Sequence, residues 1–238
     1  MDLVSRDFIR TNFNYPIQVL VLPDRASFQK FLRDEFKEKN PPNFGIYLPR
    51  LRLFATYENS GYGTFAHEIM HPFVEQNLPD RPWWAVEAIP AFFEKFFGYY
   101  ENNTMVVQWG YQNPWRIDAL GARLSKVDLE SLVTDNALWG EADTSALRLI
   151  TVFLWQQGKL PRLLRLIADR NHNGFPSYFE AAMSMRLKDV LPLCTKYLDD
   201  IQAHRTEVMQ IPSSEIFENK VSFSRFMSTR RLPITGEK

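Results

Sequence analysis

Two histidines separated by one helical turn are the residues of this sequence best suited to chemistry. His67 and His71 occupy positions i and i+4, which lie on the same face of an α-helix and are close enough to share one metal ion. Zinc is the natural candidate, because imidazole nitrogens bind it at about 2.0–2.1 Å and a tetrahedral site can keep one position open. Glu68 follows the first histidine and can lean toward that open position. The alternative is a solvated helix face on which two histidines are merely neighbours.

A catalytic zinc site needs a third protein ligand, and two downstream glutamates could supply it. Glu87 follows His71 after enough chain for a loop and a return by a second helix. Glu94 would lie on the same face of that second helix and is the rival ligand, or else a solvated or salt-bridged residue beside Lys95. The spacing favours Glu87, because zinc sites with three protein ligands reuse it.

The pentapeptide His67–His71 is the H-E-x-x-H motif of zinc metallopeptidases, in which the glutamate is the general base. Together with Trp84-Ala85-Val86-Glu87-Ala88, it resembles the gluzincin branch of the peptidase MA-like superfamily, which includes mostly uncharacterised bacterial H-E-x-x-H domains. The resemblance implies that His67, His71 and Glu87 bind Zn²⁺ and that Glu68 is catalytic. It further implies hydrolysis of peptide bonds by a metal-activated water.

A tyrosine that commonly faces the zinc in such domains has no counterpart at its expected place, residues 141–145. Four other side chains are candidate substitutes: Tyr99, Tyr100, Tyr111 and Arg148. The missing tyrosine favours a second hypothesis, a catalytically inactive binding or scaffolding module of the same fold. The intact Glu68 favours the enzyme, because a purely structural zinc site has no need of a base.

Composition and charge limit the partners. The 28 basic and 28 acidic residues balance, which argues against a general affinity for nucleic acid or anionic membranes. The partner that the resemblance implies is a peptide or protein substrate. The amino terminus lacks the apolar region of a signal peptide, and no apolar run is long enough for a membrane span. A cytoplasmic protein is therefore the default expectation, although the sequence could also be a domain of a longer, exported one.

The elements that must position the motif begin with a strand at residues 16–23 and a helix at 26–37. Two short strands, residues 45–48 and 51–57, then lead into the metal-binding helix. In gluzincins the strand just before that helix is an exposed edge along which a peptide pairs. By resemblance, Leu53–Tyr57 is this strand, and the alternative is a plain core strand.

The second ligand helix should begin near Val86, because Pro90 is best tolerated in or just beyond a first turn. From about Trp115 onward, the spacing of aliphatic residues predicts helices.

We therefore predict an α+β, zincin-like fold: a small N-terminal mixed sheet with the H-E-x-x-H helix, followed by a mainly α-helical lobe. Residues 1–112 would form the catalytic sublobe and residues 113–210 the helical lobe of the same domain. Residues 211–238 would form a flexible tail.

Overall fold

The computed structural model describes residues 2–8, 15–120, 129–134, 140–169, 177–204 and 215–228. Within these ranges the fold is α+β, as predicted, and mainly helical. The strands are β1 (Gln18–Leu22), β2 (Gly45–Leu48), β3 (Leu53–Tyr57), β4 (Phe97–Glu101), β5 (Thr104–Gln108) and β6 (Glu215–Phe217). The helices of the first half are α1 (Asp2–Asp7), α2 (Arg25–Phe36), α3 (Tyr62–Asn77) and α4 (Ala85–Phe92). Those of the second half are α5 (Pro114–Leu120), α6 (Leu129–Thr134), α7 (Glu141–Gln156), α8 (Leu160–Ala168), α9 (Ser177–Met183), α10 (Leu187–Ala203) and α11 (Lys220–Ser228).

The first sheet is small and mixed, with the strand order β1-β3-β2. β1 runs parallel to β3, whereas β2 is antiparallel to it. Helix α2 covers one face with Phe28 and Leu32, and it begins where the Asp24 side chain accepts a hydrogen bond from the Ser27 N–H. Helix α3 covers the other face, where Phe65 meets the ring of Phe54. The sheet therefore holds α3 directly against its β2 side.

The prediction that Leu53–Tyr57 is an exposed edge strand is wrong. This strand is β3, which pairs with β1 on one side and β2 on the other, and its central residues are buried. A strand with neighbours on both sides has its backbone hydrogen bonds satisfied within the sheet and cannot accept a further strand. The edge that lies beside α3 belongs to β2.

Helix α4 begins one residue before the predicted start. Pro90 is its sixth residue and lies just beyond the first turn, within the expected range. Because proline has no backbone N–H, the hydrogen bond to the carbonyl of Val86 is missing. Ile89 and Phe92 are buried in the main core on either side of it. This burial stabilises the helix where its own hydrogen bonding is incomplete.

The main hydrophobic core joins the two predicted lobes. Helix α7 packs against α4 and α5, and α8, α9 and α10 close around it. These elements confirm the prediction of helices from about Trp115 onward, and residues 121–128 of that region lie outside the described residues. In the described part of the chain, no helix combines the length and the apolar character needed to cross a bilayer.

A second sheet has the order β5-β4-β6 and includes part of the segment predicted as a flexible tail. β6 pairs in parallel with β4, and α11 stacks Phe223 on Tyr99 with ring centroids 4.9 Å apart. Residues 215–228 therefore pack on the body of the protein, because their aromatic side chains are buried against β4. Residues 205–214 and 229–238 lie outside the described ranges.

Candidate metal centre

Two packed helices bring the three predicted zinc ligands together. α3 carries His67 and His71 on one face, and α4 turns Glu87 toward them. One ligand atom from each of these residues lies within 4.8 Å of the other two. His67 Nε2 and Glu87 Oε2 are 3.4 Å apart, a distance close to the edge of a tetrahedron with bonds of about 2.0–2.1 Å. The donor set and its spacing fit zinc.

Glu94, the rival third ligand, lies on the opposite side of the His67 ring. Its carboxylate accepts a hydrogen bond from His67 Nδ1 at 2.9 Å, which leaves Nε2 free to face the metal position. A carboxylate that orients a ligand in this way belongs to the surroundings of a metal site and is not itself a ligand. The prediction that Glu94 lies on the same face of the second helix as Glu87 is wrong, because α4 ends at Phe92 and Glu94 follows in the next turn.

The Glu94 carboxylate is the centre of a buried polar cluster. Arg116 Nε donates to it at 3.0 Å, Asn113 Nδ2 donates at 2.8 Å, and Arg148 Nε lies 3.8 Å away. Burial favours protonation of Glu94, but Arg116 and His67 outweigh it and hold the pKa of this carboxyl well below its usual range. Glu94 is therefore ionised and fixes the tautomer of His67.

Glu68 lies beside the ligands without joining them. Its Oε2 is 3.7 Å from His71 Nε2, and its side chain is 10% exposed. Burial raises the pKa of Glu68 to about 7, while His67 and the backbone N–H of Tyr47 oppose this rise. A carboxyl group that titrates near neutral pH is well matched to accepting and returning a proton.

His71 is held as a neutral imidazole. Burial, followed by the charge of His67, lowers its pKa to about 3. The ring of Tyr47 stacks parallel to the His71 ring at 6.2 Å, and its hydroxyl donates to Glu75 Oε2 at 3.1 Å. The sequence analysis did not single out Tyr47, because a tyrosine in a short strand carries no signal of a histidine partner.

His67 and Glu87 form an ion pair when no metal is present. Burial disfavours the charged imidazole, but hydrogen bonding to Glu87 and Glu94 raises the pKa of His67 above its ordinary value. Burial likewise opposes ionisation of Glu87, and His67 reverses that effect and lowers its pKa. Metal binding must therefore displace a proton from His67.

A cleft of about 280 Å³ opens beside Glu68 and His67. Its walls come from the segment that leads into β2 (residues 42–45), the start of α3 (residues 60–64) and the start of α5 (residues 113–116). Phe44 and Trp115 meet edge to face across it, with ring centroids 5.6 Å apart. The candidate base thus faces a space in which a small ligand fits.

The four candidate substitutes for the missing tyrosine lie elsewhere. Tyr99 and Tyr111 pack in the aromatic cluster of the second sheet, and Tyr100 is exposed on the β4–β5 hairpin. Arg148 is buried, with its guanidinium donating to the carbonyl oxygens of Ala91 and Tyr111. Among the described residues that line the cleft, none of the four is found.

Comparison of the sequence with protein-family models and with curated proteins gives no match.

Proposed function

We propose that this protein is a zinc-dependent metallopeptidase of the gluzincin type, with a zincin-like catalytic domain. The observation that carries the proposal is the position of Glu68. This carboxylate is buried, lies 3.7 Å from a ligand nitrogen, stays outside the three-ligand set and lines the adjoining cleft. A structural zinc site normally has four protein ligands and no such base.

His67, His71 and Glu87 would hold the ion, and Glu94 would keep His67 oriented. The chemistry supplied by bound zinc is polarisation of the scissile carbonyl and acidification of a water molecule. Glu68 accepts a proton from that water and returns it to the departing nitrogen, as the C–O bond forms and the C–N bond breaks. One water is consumed, and the products are a carboxylic acid and an amine.

The free edge of β2 is the proposed docking strand for the substrate backbone. Gly45 packs directly against Glu68, because a Cβ atom there would lie 2.9 Å from Glu68 Cγ. β2 has β3 on only one side, so its outer backbone groups, apart from the Tyr47 N–H that bonds to Glu68, can pair with an extended peptide. This moves the docking strand from Leu53–Tyr57, the strand expected from the resemblance, to Gly45–Leu48.

The test compares zinc-loaded wild type with Glu68→Gln on a quenched-fluorescent peptide library. We expect both proteins to bind one zinc ion per chain and only the wild type to hydrolyse peptides, with a loss of at least about 100-fold in the variant. Equal hydrolysis by the two proteins would contradict the role of Glu68.

The second candidate function is a zinc-binding module without turnover. The observation in its favour is that no tyrosine is found among the described residues that line the cleft. A protein that binds zinc stoichiometrically and hydrolyses no peptide in the library, whether wild type or variant, would establish this alternative.

A further inference from the structure

We propose that the cleft beside Glu68 binds the free carboxylate at the C-terminal end of a peptide. The proposal rests on the metallopeptidase function proposed above and narrows its substrates to peptides cleaved one or two residues from that end. It follows from three features of the cleft: its side of the metal centre, its small volume and its positive charge.

The cleft lies on the leaving-group side of the metal centre. It is lined by Glu68 and His67, whereas His71 and Glu87 lie outside it. Because Glu68 returns its proton to the departing nitrogen, that nitrogen must lie beside Glu68. The part of the substrate that follows the scissile bond therefore enters this cleft.

The cleft is small. Its volume of about 280 Å³ is just below the range of pockets for drug-sized ligands, which is roughly 300–1,000 Å³. Phe44 and Trp115 come from two of its walls and meet edge to face, and each residue is 37% exposed. A space of this size suits the last one or two residues of a peptide that enters past Glu68.

Arg116 supplies a cation to the wall of the cleft. Its side chain is 9% exposed, and Nε and Nη2 are bonded to Glu94. The guanidinium also lies over the Trp115 ring, 4.3 Å from its centroid. Two guanidinium groups, Arg116 and Arg148, share the single Glu94 carboxylate, so this cluster retains a net positive charge. A carboxylate in the cleft would balance it.

The first turn of α3 adds to the attraction for an anion. Gly63 packs against the Glu94 backbone, and no described side chain caps this end of the helix. The backbone N–H groups and the helix dipole therefore favour a negative charge there. Gly63 and Thr64 lie about 6–8 Å along the helix axis from Glu68, at about 1.5 Å per residue. That distance is spanned by about two residues of extended chain, at roughly 3.3–3.6 Å each.

The experiment measures binding separately from turnover. Zinc-loaded Glu68→Gln is titrated by calorimetry with pairs of N-acetylated tripeptides that differ only in a free or an amidated C-terminus. We expect the free acid to bind at least about tenfold more tightly than the amide, because only the acid can form a charge-assisted hydrogen bond with Arg116. The preference should disappear in the double variant Glu68→Gln/Arg116→Gln and persist in the control Glu68→Gln/Arg186→Gln, because Arg186 is an exposed arginine paired with Asp189.

Since Arg116 also supports Glu94, zinc content is measured for each variant. A second variant, Trp115→Ala, removes one of the two rings that meet across the cleft and should raise the affinity for amidated and longer peptides. Equal affinity for acid and amide, or binding of neither, would overturn the carboxylate site. Cleavage by wild type of interior bonds in doubly blocked peptides, at the rate seen for free acids, would overturn it and leave the metallopeptidase intact. An acid preference in binding without hydrolysis by wild type would support the carboxylate site and contradict the enzyme.

Discussion

At the scale of single residues, the centre is defined by carboxylates that have different partners. Glu87 lies with the two imidazoles, Glu94 bonds to the far nitrogen of His67, and Glu68 is buried 3.7 Å from His71 Nε2. In the proposed centre, the same type of side chain would therefore serve as ligand, as orienting group or as base, according to its surroundings.

Replacing Glu68 should stabilise the metal-free protein at alkaline pH. Its pKa is raised from 4.5 to about 7 in the folded state, so the protonated form is favoured by folding. Its contribution to stability is fully present below about pH 4.5 and is lost as the pH rises through about 7. The free energy of unfolding of Glu68→Gln, measured by urea denaturation, should then exceed that of wild type by about 3 kcal/mol at pH 8 and equal it at pH 4. The control is Glu58→Gln, at an exposed glutamate, whose free energy of unfolding should differ from that of wild type by the same amount at both pH values. A constant difference between Glu68→Gln and wild type across this pH range would contradict the raised pKa of Glu68.

Replacing Glu94 should weaken zinc binding without abolishing it. Glu94→Gln removes the carboxylate that orients the His67 ring and raises its basicity. Loss of such a partner reduces metal affinity by about 10–100-fold. Competition with a chromophoric chelator measures the Kd. Glu101→Gln, an exposed glutamate that pairs with Lys220, serves as the control. A loss in the control equal to that in Glu94→Gln would show that the effect is not specific.

The clustering of His67, His71 and Glu87 could be predicted from the sequence, whereas the contacts that support it could not. His67 and His71 share a helix face by local geometry alone, and Glu87 follows at a spacing that zinc sites reuse. The partners of Glu94 and His71 come from segments distant in the chain, namely Arg116 and Tyr47. No periodicity connects such residues, so only the folded chain reveals them.

At the scale of the elements, the close approach of β2 to α3 is the feature that places the base. The backbone of Gly45 leaves no room for a side chain between Thr64 and Glu68. The sequence predicted both strands and the helix but assigned the edge to β3, because strand order depends on pairing between distant segments. No element was predicted for β4, since its aromatic residues suit a helix and a strand equally well.

Gly45→Ala should impair hydrolysis more than metal binding. The new Cβ would lie 2.8 Å from Thr64 Cγ2 and 2.9 Å from Glu68 Cγ, so Glu68 must move. We expect kcat/KM to fall by at least about tenfold and the stability to fall by about 1–3 kcal/mol, with zinc stoichiometry unchanged. Gly140→Ala is the control, because the nearest atom to its Cβ is 3.9 Å away. Unchanged kinetics in Gly45→Ala would contradict the placement of the base by β2.

At the scale of the whole molecule, one core connects the metal helices to the helical lobe, and the C-terminal segment completes a second sheet. The core was predictable as a set of apolar helix faces. The ordering of residues 215–228 was not, because their mixed composition suits a tail unless the aromatic surface of β4 is available.

Phe223→Ala tests that ordering. Phe223 is 5% exposed and stacks on Tyr99, so truncation should lower the free energy of unfolding by about 3 kcal/mol. Val221→Ala, on the same helix but 71% exposed, should change it by less than about 0.5 kcal/mol. Thermal and urea denaturation measure the stability of both variants. An unchanged free energy of unfolding in Phe223→Ala would support the original prediction of a flexible tail.

The most direct measurement of the central claim is the amount of zinc bound per chain, determined by native mass spectrometry and elemental analysis for wild type, His71→Ala, Glu87→Ala and Glu94→Ala. A metal centre made of His67, His71 and Glu87 predicts one zinc ion in wild type and in Glu94→Ala at saturating metal. It also predicts that the high-affinity site is lost in His71→Ala and in Glu87→Ala. Full zinc occupancy in Glu87→Ala, or a wild type that binds no zinc, would contradict it.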